Sequence, residues 1–184
     1  MGTPRVLARR LVVAACLALS TPALSGAPVE TARVEAAFTP GDDIATLIVG
    51  RVAKARHTVQ VQAYLFTDRR LARALVAALK RGVAVEVIGD AAQQENGGLP
   101  WLGTLERAGA RVFLDADHAA SHNKIVIVDG HRAPATVITG SYNFTQAAQS
   151  KNAENVVVLS GNRRLTDRFV ENFEHHREQS TPWH

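Results

Sequence analysis

Cysteine, methionine and aromatic residues are scarce in this chain of 184 residues, which has one Cys, one Met, six Phe, two Trp and two Tyr. The single cysteine is Cys16, so the chain beyond it has no thiol. That excludes a disulfide fold, a cysteine nucleophile and a thiolate metal centre there. The longest apolar stretch, residues 11–19, is shorter than the roughly 20 residues that a membrane-spanning helix needs.

The composition is that of a folded protein. Apolar residues make up 46% of the chain, and the mean hydropathy is −0.04. Such a chain can bury enough apolar surface to offset its conformational entropy, which excludes a disordered protein. The length suits one domain. The 21 basic and 17 acidic residues give a formal charge of +4, which at first favours a nucleic-acid partner.

Residues 1–27 have the three parts of a secretory signal peptide. Arg5, Arg9 and Arg10 precede the apolar stretch, and small residues lead to a cleavage position near Ala27. We expect export to the periplasm or the medium, with residues 28–184 forming the mature domain. An uncleaved anchor or a lipid on Cys16 are weaker alternatives. Loss of the three arginines lowers the formal charge from +4 to +1, so bulk charge does not identify the substrate.

Helical and strand patterns alternate along the rest of the chain. Apolar spacing predicts helices that begin near Asp43 and Asp68, another that ends near Ala108, and a last one around Phe169. Strands are predicted over 57–66, 83–88, 111–114, 122–129, 135–139 and 154–159. This order predicts an α/β domain with a mixed β-sheet between helices.

Residues that carry chemistry concentrate at predicted strand ends. His122 and Lys124 are two apart, so on a strand they project to the same side, as do Ser141 and Asn143. Glu154 opens the next strand. An imidazole that can attack phosphorus, with an ammonium, a hydroxyl and a carboxamide to stabilise developing negative charge, suits phosphoryl transfer.

These residues resemble a known family. His-x-Lys-x4-Asp over residues 122–129, followed by Gly-Ser-x-Asn over 140–143, is the signature of the phospholipase D superfamily. The similarity extends to Ala63-Tyr64-Leu65-Phe66-Thr67 and to Lys151-Asn152-Ala153-Glu154-Asn155. With one motif copy in a short exported chain, the sequence is similar to the small bacterial periplasmic endonucleases of that superfamily.

The resemblance implies a phospholipase D-like fold and a role for each motif residue. His122 would be the nucleophile and form a phosphohistidine, with Lys124 and Asn143 holding phosphate oxygens beside Ser141. Glu154 would bond to the His122 ring and fix its tautomer. Because the superfamily uses two motifs and this chain has one, the resemblance implies a homodimer with the site across its twofold axis. It implies no metal and no cofactor.

Two motif members are expected to be structural. Strand alternation turns Asp129 away from His122 and Lys124, beside a Gly130 turn, so we interpret Asp129 as ordering the hairpin; Gly140 is the other. The remaining histidines are expected at the surface. His175 and His176 are a poor chelating pair, because adjacent helical residues point about 100° apart.

Three candidate functions of different kinds are compatible with these residues. The first is a nonspecific endonuclease or phosphodiesterase for which DNA is the expected substrate and RNA is an open alternative. The second is a phospholipase D that hydrolyses membrane phosphatidyl lipids with the same reaction centre. The third is a catalytically silent binding module. The intact motif disfavours the third, and the lack of a clear amphipathic membrane-facing segment disfavours the second. The nuclease reading is therefore preferred.

Overall fold

The computed structural model describes residues 31–183; the predicted signal peptide, with Cys16, lies outside the described residues. One mixed sheet with flanking helices accounts for the described chain. The strands are β1 Arg33–Thr39, β2 Thr58–Ala63, β3 Ala84–Asp90, β4 Arg111–Asp115, β5 Lys124–Val128, β6 Thr136–Gly140, β7 Glu154–Ser160 and β8 Thr181–Pro182. The helices are α1 Ile44–Ala53, α2 Arg69–Lys80, α3 Ala91–Glu95, α4 Leu102–Arg107, α5 Gln146–Ser150 and α6 Arg163–Gln179.

The eight strands of the described residues run in the order β1-β7-β6-β5-β2-β3-β4-β8. The pairs β2–β3 and β3–β4 are parallel, and every other neighbouring pair is antiparallel. The parallel part follows from the helical crossovers after β2 and β3, whereas β5, β6 and β7 form a meander. The expected mixed α/β sheet is confirmed.

Helices cover both faces of the sheet. Val126 belongs to the core that contains α1, α2 and α4, and its neighbour Ile127 belongs to the core under α6. This alternation sorts the continuous apolar run of β5 between the two faces, as expected for a strand buried on both sides. Packing on both faces therefore holds β5 in place, together with the residues that directly precede it.

Helices α1 and α2 begin at the side-chain caps that the sequence indicated. Asp43 accepts a hydrogen bond from the Thr46 amide at the start of α1, and Asp68 accepts one from the Arg70 amide at the start of α2. Asn162 caps α6 in the same way through the Leu165 amide. Each cap satisfies an amide that has no partner within its helix.

Several elements differ from the sequence-based prediction. Strand β1 was not predicted, because as an edge strand it buries only Ala37 and Thr39 and lacks clear alternation. The five-residue helices α3 and α5 and the two-residue β8 are too short for a periodic signal. The strand predicted over 122–129 is shorter, so His122 precedes it and Asp129 follows it.

The strand predicted over 57–66 is also shorter, because the chain leaves the sheet after Ala63. The Phe66 amide donates to the Gly98 carbonyl, and Phe66 forms an isolated bridge with Phe144. In residues 31–183, no helix combines the length and the apolar character that crossing a bilayer requires.

Candidate active site

The sheet topology brings the predicted site residues to one edge. Strand β2 ends at Ala63, which pairs with Lys124 at the start of β5. Strand β6 ends at Gly140, which pairs with Val156 near the start of β7, and Thr39 at the end of β1 pairs with Glu154. Because neighbouring antiparallel strands begin and end at the same edge, segments far apart in the sequence meet there.

His122, Lys124 and Tyr64 form one cluster at this edge. The His122 ring is exposed and lies against the Tyr64 ring, with 4.4 Å between centroids and a 55° tilt. The Lys124 ammonium lies 4.9 Å from the Tyr64 ring centroid and donates to the His122 backbone carbonyl at 2.7 Å. Tyr64 thus supports the imidazole on one side and the cation on another, in stacking and cation–π contacts.

Lys124 is a buried cation, only 6% exposed. Burial lowers its pKa below the usual lysine value, and the nearby Glu154 carboxylate partly opposes that change. An ammonium that has lost much of its hydration gains more from an incoming phosphate oxygen than a surface lysine would. The arrangement therefore suits anion binding next to His122.

Ser141 and Glu154 form a second cluster. The Ser141 hydroxyl donates to one Glu154 carboxylate oxygen at 2.5 Å, and the Asn152 side-chain amide donates to the other at 2.9 Å. The resemblance implied a Glu154–His122 hydrogen bond, and this pairing does not form within the described residues. Gly140 pairs with Val156, two residues after Glu154, so the Ser141 hydroxyl that follows Gly140 reaches the Glu154 carboxylate at the start of β7.

Asn143 lies on the same loop as Ser141, and the buried Tyr142 between them anchors this loop to the core. Tyr142 is only 1% exposed and points into the core, where its hydroxyl donates to Gln149 at 3.3 Å; burial raises its pKa. Ser141 is exposed and Asn143 half-buried. Among residues 31–183, the Asn143 side-chain oxygen has no hydrogen-bond partner.

Gly140 has a steric reason to be glycine. A Cβ built on it would lie 2.2 Å from the Asn155 carbonyl oxygen and 2.8 Å from the Val156 Cα, which are backbone atoms. The close approach lets the Ser141 amide donate to the Asn155 carbonyl at 3.1 Å. Gly140 therefore holds the Ser141–Asn143 loop against β7.

Asp129 lies at the opposite end of β5 from Lys124. Its carboxylate accepts hydrogen bonds from the backbone amides of Arg56, His57 and Thr58. Its φ of 53° is in the left-handed region, which Asp tolerates better than most residues. The contacts agree with a structural role, although Asp129 ties down the segment before β2 as well as its own turn.

Two residues at this edge were missing from the predicted set. Tyr64 was quoted only as part of a similar segment, and Gln93 in α3 donates to its hydroxyl at 3.0 Å. A tyrosine directly after an apolar strand carries no signal by itself. Only the pairing of β2 with β5 places its ring beside His122.

Comparison with known proteins gives a consistent family. The family described as "Cardiolipin synthase, PLD-like domain" matches residues 48–177. A curated phospholipase D from Rickettsia bellii is 34% identical over 141 residues, which is 77% of this chain and 67% of that protein. The human mitochondrial cardiolipin hydrolase is 31% identical over 142 residues, and the chain spans about half of its length (54%).

Solved structures agree in fold. The structure of Nuc from Salmonella typhimurium, a phospholipase D family member, has a TM-score of 0.74 and 31% identity, covering 83% of this chain and 99% of that one. NucT from Helicobacter pylori has a TM-score of 0.71 at 20% identity, covering 83% of this chain and all of the other. With its His122–Lys124 and Ser141–Asn143 elements at one sheet edge, the chain belongs to the phospholipase D superfamily of phosphodiesterases.

Proposed function

We propose that the protein is a nuclease: a metal-independent phosphodiesterase that cleaves nucleic-acid phosphodiester bonds through a phosphohistidine, at a site shared by two subunits. The observation that carries the proposal is the exposed His122 ring next to the buried Lys124 ammonium. The likeness to Nuc over 99% of that chain supports the choice of nucleic acid. The site would need no cofactor.

The proposed reaction has two steps. A His122 ring nitrogen attacks phosphorus, a nitrogen–phosphorus bond forms, and the bond to the leaving oxygen breaks. The partner subunit's His122, in its protonated form, gives that oxygen a proton. Water then attacks the phosphohistidine, losing its proton to the partner imidazole and restoring free His122. Lys124 and Asn143 stabilise the non-bridging oxygens in both steps, and Ser141 and Glu154 hold the loop beside them.

One chain supplies one such histidine, and the mechanism needs two. A histidine bound to phosphorus cannot at the same moment protonate the leaving group. An exposed apolar strip on β1, Val34 and Phe38, supports the pairing of two subunits. Val34 is 61% and Phe38 58% exposed, on the sheet face where α6 contacts β4, β5 and β6, and Phe38 directly precedes Thr39, which pairs with Glu154. Apolar residues at a subunit interface would be removed from water.

A phospholipase D activity is the second candidate. The specific observation in its favour is that curated relatives bear the names phospholipase D and mitochondrial cardiolipin hydrolase. A phosphatidyl headgroup contains the same phosphodiester, so the proposed chemistry would serve both substrates. Val34 and Phe38 are the exposed large hydrophobic residues of the described chain, a small apolar area for a lipid surface.

A substrate panel in EDTA separates the two. Purified protein is incubated with supercoiled plasmid, RNA, vesicles of phosphatidylcholine and cardiolipin, and bis(p-nitrophenyl) phosphate. We expect plasmid cleavage and cleavage of the small diester, both reduced roughly 10⁴-fold or more by His122→Asn. The matched control is His131→Asn, a half-exposed histidine beyond the far end of β5.

Each arm has a contrary outcome. Hydrolysis of lipid with intact nucleic acid would replace the nuclease proposal with the phospholipase one. Activity that EDTA abolishes and added Mg²⁺ restores would refute the metal-independent reaction. Equal activity of His122→Asn and His131→Asn would remove His122 from the proposed chemistry.

We also propose export, with cleavage near Ala27. The basic, apolar and small-residue order of residues 1–27 supports it. Expression in a Gram-negative host followed by cell fractionation should give periplasmic protein whose N-terminal sequence begins near residue 28. Full-length protein retained in the cytoplasm would contradict this.

A further inference from the structure

A second cluster of ionisable side chains lies apart from the five predicted site residues. Asp115 at the end of β4, His118 in the following loop and His176 in α6 each offer one ligand atom, and these atoms lie within 4.8 Å of one another. The sequence predicted surface positions for both histidines. That is wrong for His176, whose side chain is 14% exposed and faces the fully buried Asp115 carboxylate.

The imidazoles converge on that carboxylate from two segments. The His118 Nδ1 lies 3.0 Å from Asp115 Oδ1 and 3.1 Å from Asp115 Oδ2, and the His176 Nδ1 lies 3.4 Å from the same Oδ2. The two rings are 5.0 Å apart between centroids. Among the described residues, the His176 Nδ1 is buried and makes no hydrogen bond. A buried ring nitrogen aimed at a carboxylate without bonding to it is expected to have another partner.

The spacing fits a tetrahedral metal ion. Metal–nitrogen and metal–oxygen bonds of about 2.0–2.1 Å give ligand atoms about 3.3 Å apart in a tetrahedron. The distances from the two Nδ1 atoms to the shared Asp115 Oδ2, 3.1 and 3.4 Å, are close to that value. Two histidines and one carboxylate are a common three-ligand set for Zn²⁺, and the half-exposed His118 side leaves a fourth position for water.

We propose that Asp115, His118 and His176 bind one Zn²⁺ ion or a similar divalent transition-metal ion. Both histidines coordinate through Nδ1, and a protonated His118 releases its proton when the metal binds. The Asp115 carboxylate then compensates one positive charge of the metal ion, instead of the charge of a protonated His118. This site is separate from the proposed reaction, in which no metal takes part.

The position suggests what the metal does. Residues 116–121 run from Asp115 to the segment that carries His122, and α6, which carries His176, packs against β4. A bound ion would join that loop to α6 and restrict the backbone leading to His122. The expected role is therefore to stabilise the fold and the loop, in place of the Asp115–His118 ion pair that metal binding removes.

Metal binding itself is the test, so the result does not depend on nuclease activity. Tag-free protein is stripped with a chelator, dialysed and titrated with Zn²⁺ by calorimetry, and with Co²⁺ by visible absorption. We expect one Zn²⁺ per chain, a tetrahedral Co²⁺ spectrum and a higher Tm with Zn²⁺. His118→Gln should weaken Zn²⁺ binding at least about tenfold, because it removes one ligand.

His175→Gln is the matched control, since His175 is the exposed helical neighbour of His176. It should bind Zn²⁺ as the parent does. His118→Gln is preferred to Asp115→Asn because the His118 side chain is half exposed and its loss leaves the core unchanged. The proposal is overturned if the parent binds no Zn²⁺, if His118→Gln binds as well as His175→Gln, or if binding is lost in His122→Asn and kept in His118→Gln.

Discussion

The Lys124 ammonium is buried and has lost much of its hydration, and few contacts compensate for that lost hydration. Its ammonium has a backbone carbonyl, a tyrosine ring and the attraction of Glu154. Burial lowers its pKa below the ordinary 10.5, so the folded protein loses this proton at a lower pH than a free lysine would. If the Lys124 ammonium stabilises phosphate oxygens, activity must fall as the ammonium loses its proton.

We therefore predict an alkaline decline of kcat/KM that begins below pH 10.5. Lys124→Arg should be less active because the fork-shaped guanidinium fits poorly, and its alkaline decline should be absent because arginine stays protonated. Lys124→Ala should lose about 10²–10³-fold in kcat. The measurement is kcat/KM against pH, with circular dichroism at each pH to confirm folding. The same alkaline decline in Lys124→Arg would assign it to another group.

Asp129 illustrates a motif residue whose contacts are with the backbone. Three amides depend on one carboxylate. We predict that Asp129→Ala lowers the free energy of unfolding by about 2–4 kcal/mol, because three partly buried amides lose a charged acceptor and Ala disfavours positive φ. Activity per folded molecule should be almost unchanged. Chemical denaturation and active-site-normalised kcat measure the two effects.

The matched control is Asp167→Ala, which removes an exposed carboxylate paired with Arg163 at 2.7 Å in α6. Asp167→Ala should lower the free energy of unfolding by less than about 1 kcal/mol, as for other ion pairs that solvent screens. A large fall in kcat of Asp129→Ala with unchanged stability would mean that Asp129 takes part in the reaction.

At the scale of elements, the closest contact near the site is between β6 and β7. Gly140→Ala would force a methyl group into backbone atoms of Asn155 and Val156. We predict a loss of about 1–3 kcal/mol in the free energy of unfolding, and lower activity because Ser141 and Asn143 follow directly. Thermal unfolding and diester hydrolysis report the two effects.

Gly50→Ala is the control within a regular element. Gly50 lies in α1, and a Cβ there meets no atom within 4 Å. Alanine favours the helix by about 0.5–1 kcal/mol, so this variant should be more stable and equally active. If Gly140→Ala behaves as Gly50→Ala does, the tight β6–β7 approach has no part in the site.

Elements also differ in how far the sequence predicts them. The central strands and long helices have periodic apolar residues, since one or both faces are buried over several turns or pleats. Edge strand β1 has no such pattern, because most of its side chains face solvent. The helices α3 and α5 depend on single caps, the Asp90 carboxylate and the Thr145 hydroxyl, and not on periodicity.

At the scale of the whole molecule, the shared-site proposal depends on the apolar strip of β1. We predict that Phe38→Glu gives a monomer with an intact fold and little activity, because a buried charge at the interface would be unpaired. Sedimentation velocity, circular dichroism and diester hydrolysis measure the three properties. Ala84→Glu is the control, since it adds the same charge at the exposed start of β3. A fully active monomer would refute the shared site.

The amino-acid sequence alone predicts the alternation of helices and strands, the mixed sheet and the motif that carries the family resemblance. These are local properties: apolar period, caps and spacing between neighbouring residues. The sequence also shows that the net charge does not identify the substrate, since three arginines of residues 1–27 account for most of the positive charge.

Which side chains contact one another depends on the tertiary structure. Strand pairing places Tyr64 beside His122 and turns Glu154 toward Ser141 instead of the His122 ring. It also brings His176 to Asp115, although 60 positions separate them in the chain and neither has a local partner signal. Contacts between distant segments follow from sheet order and helix docking, which depend on the packing of the whole core and leave no mark on local periodicity.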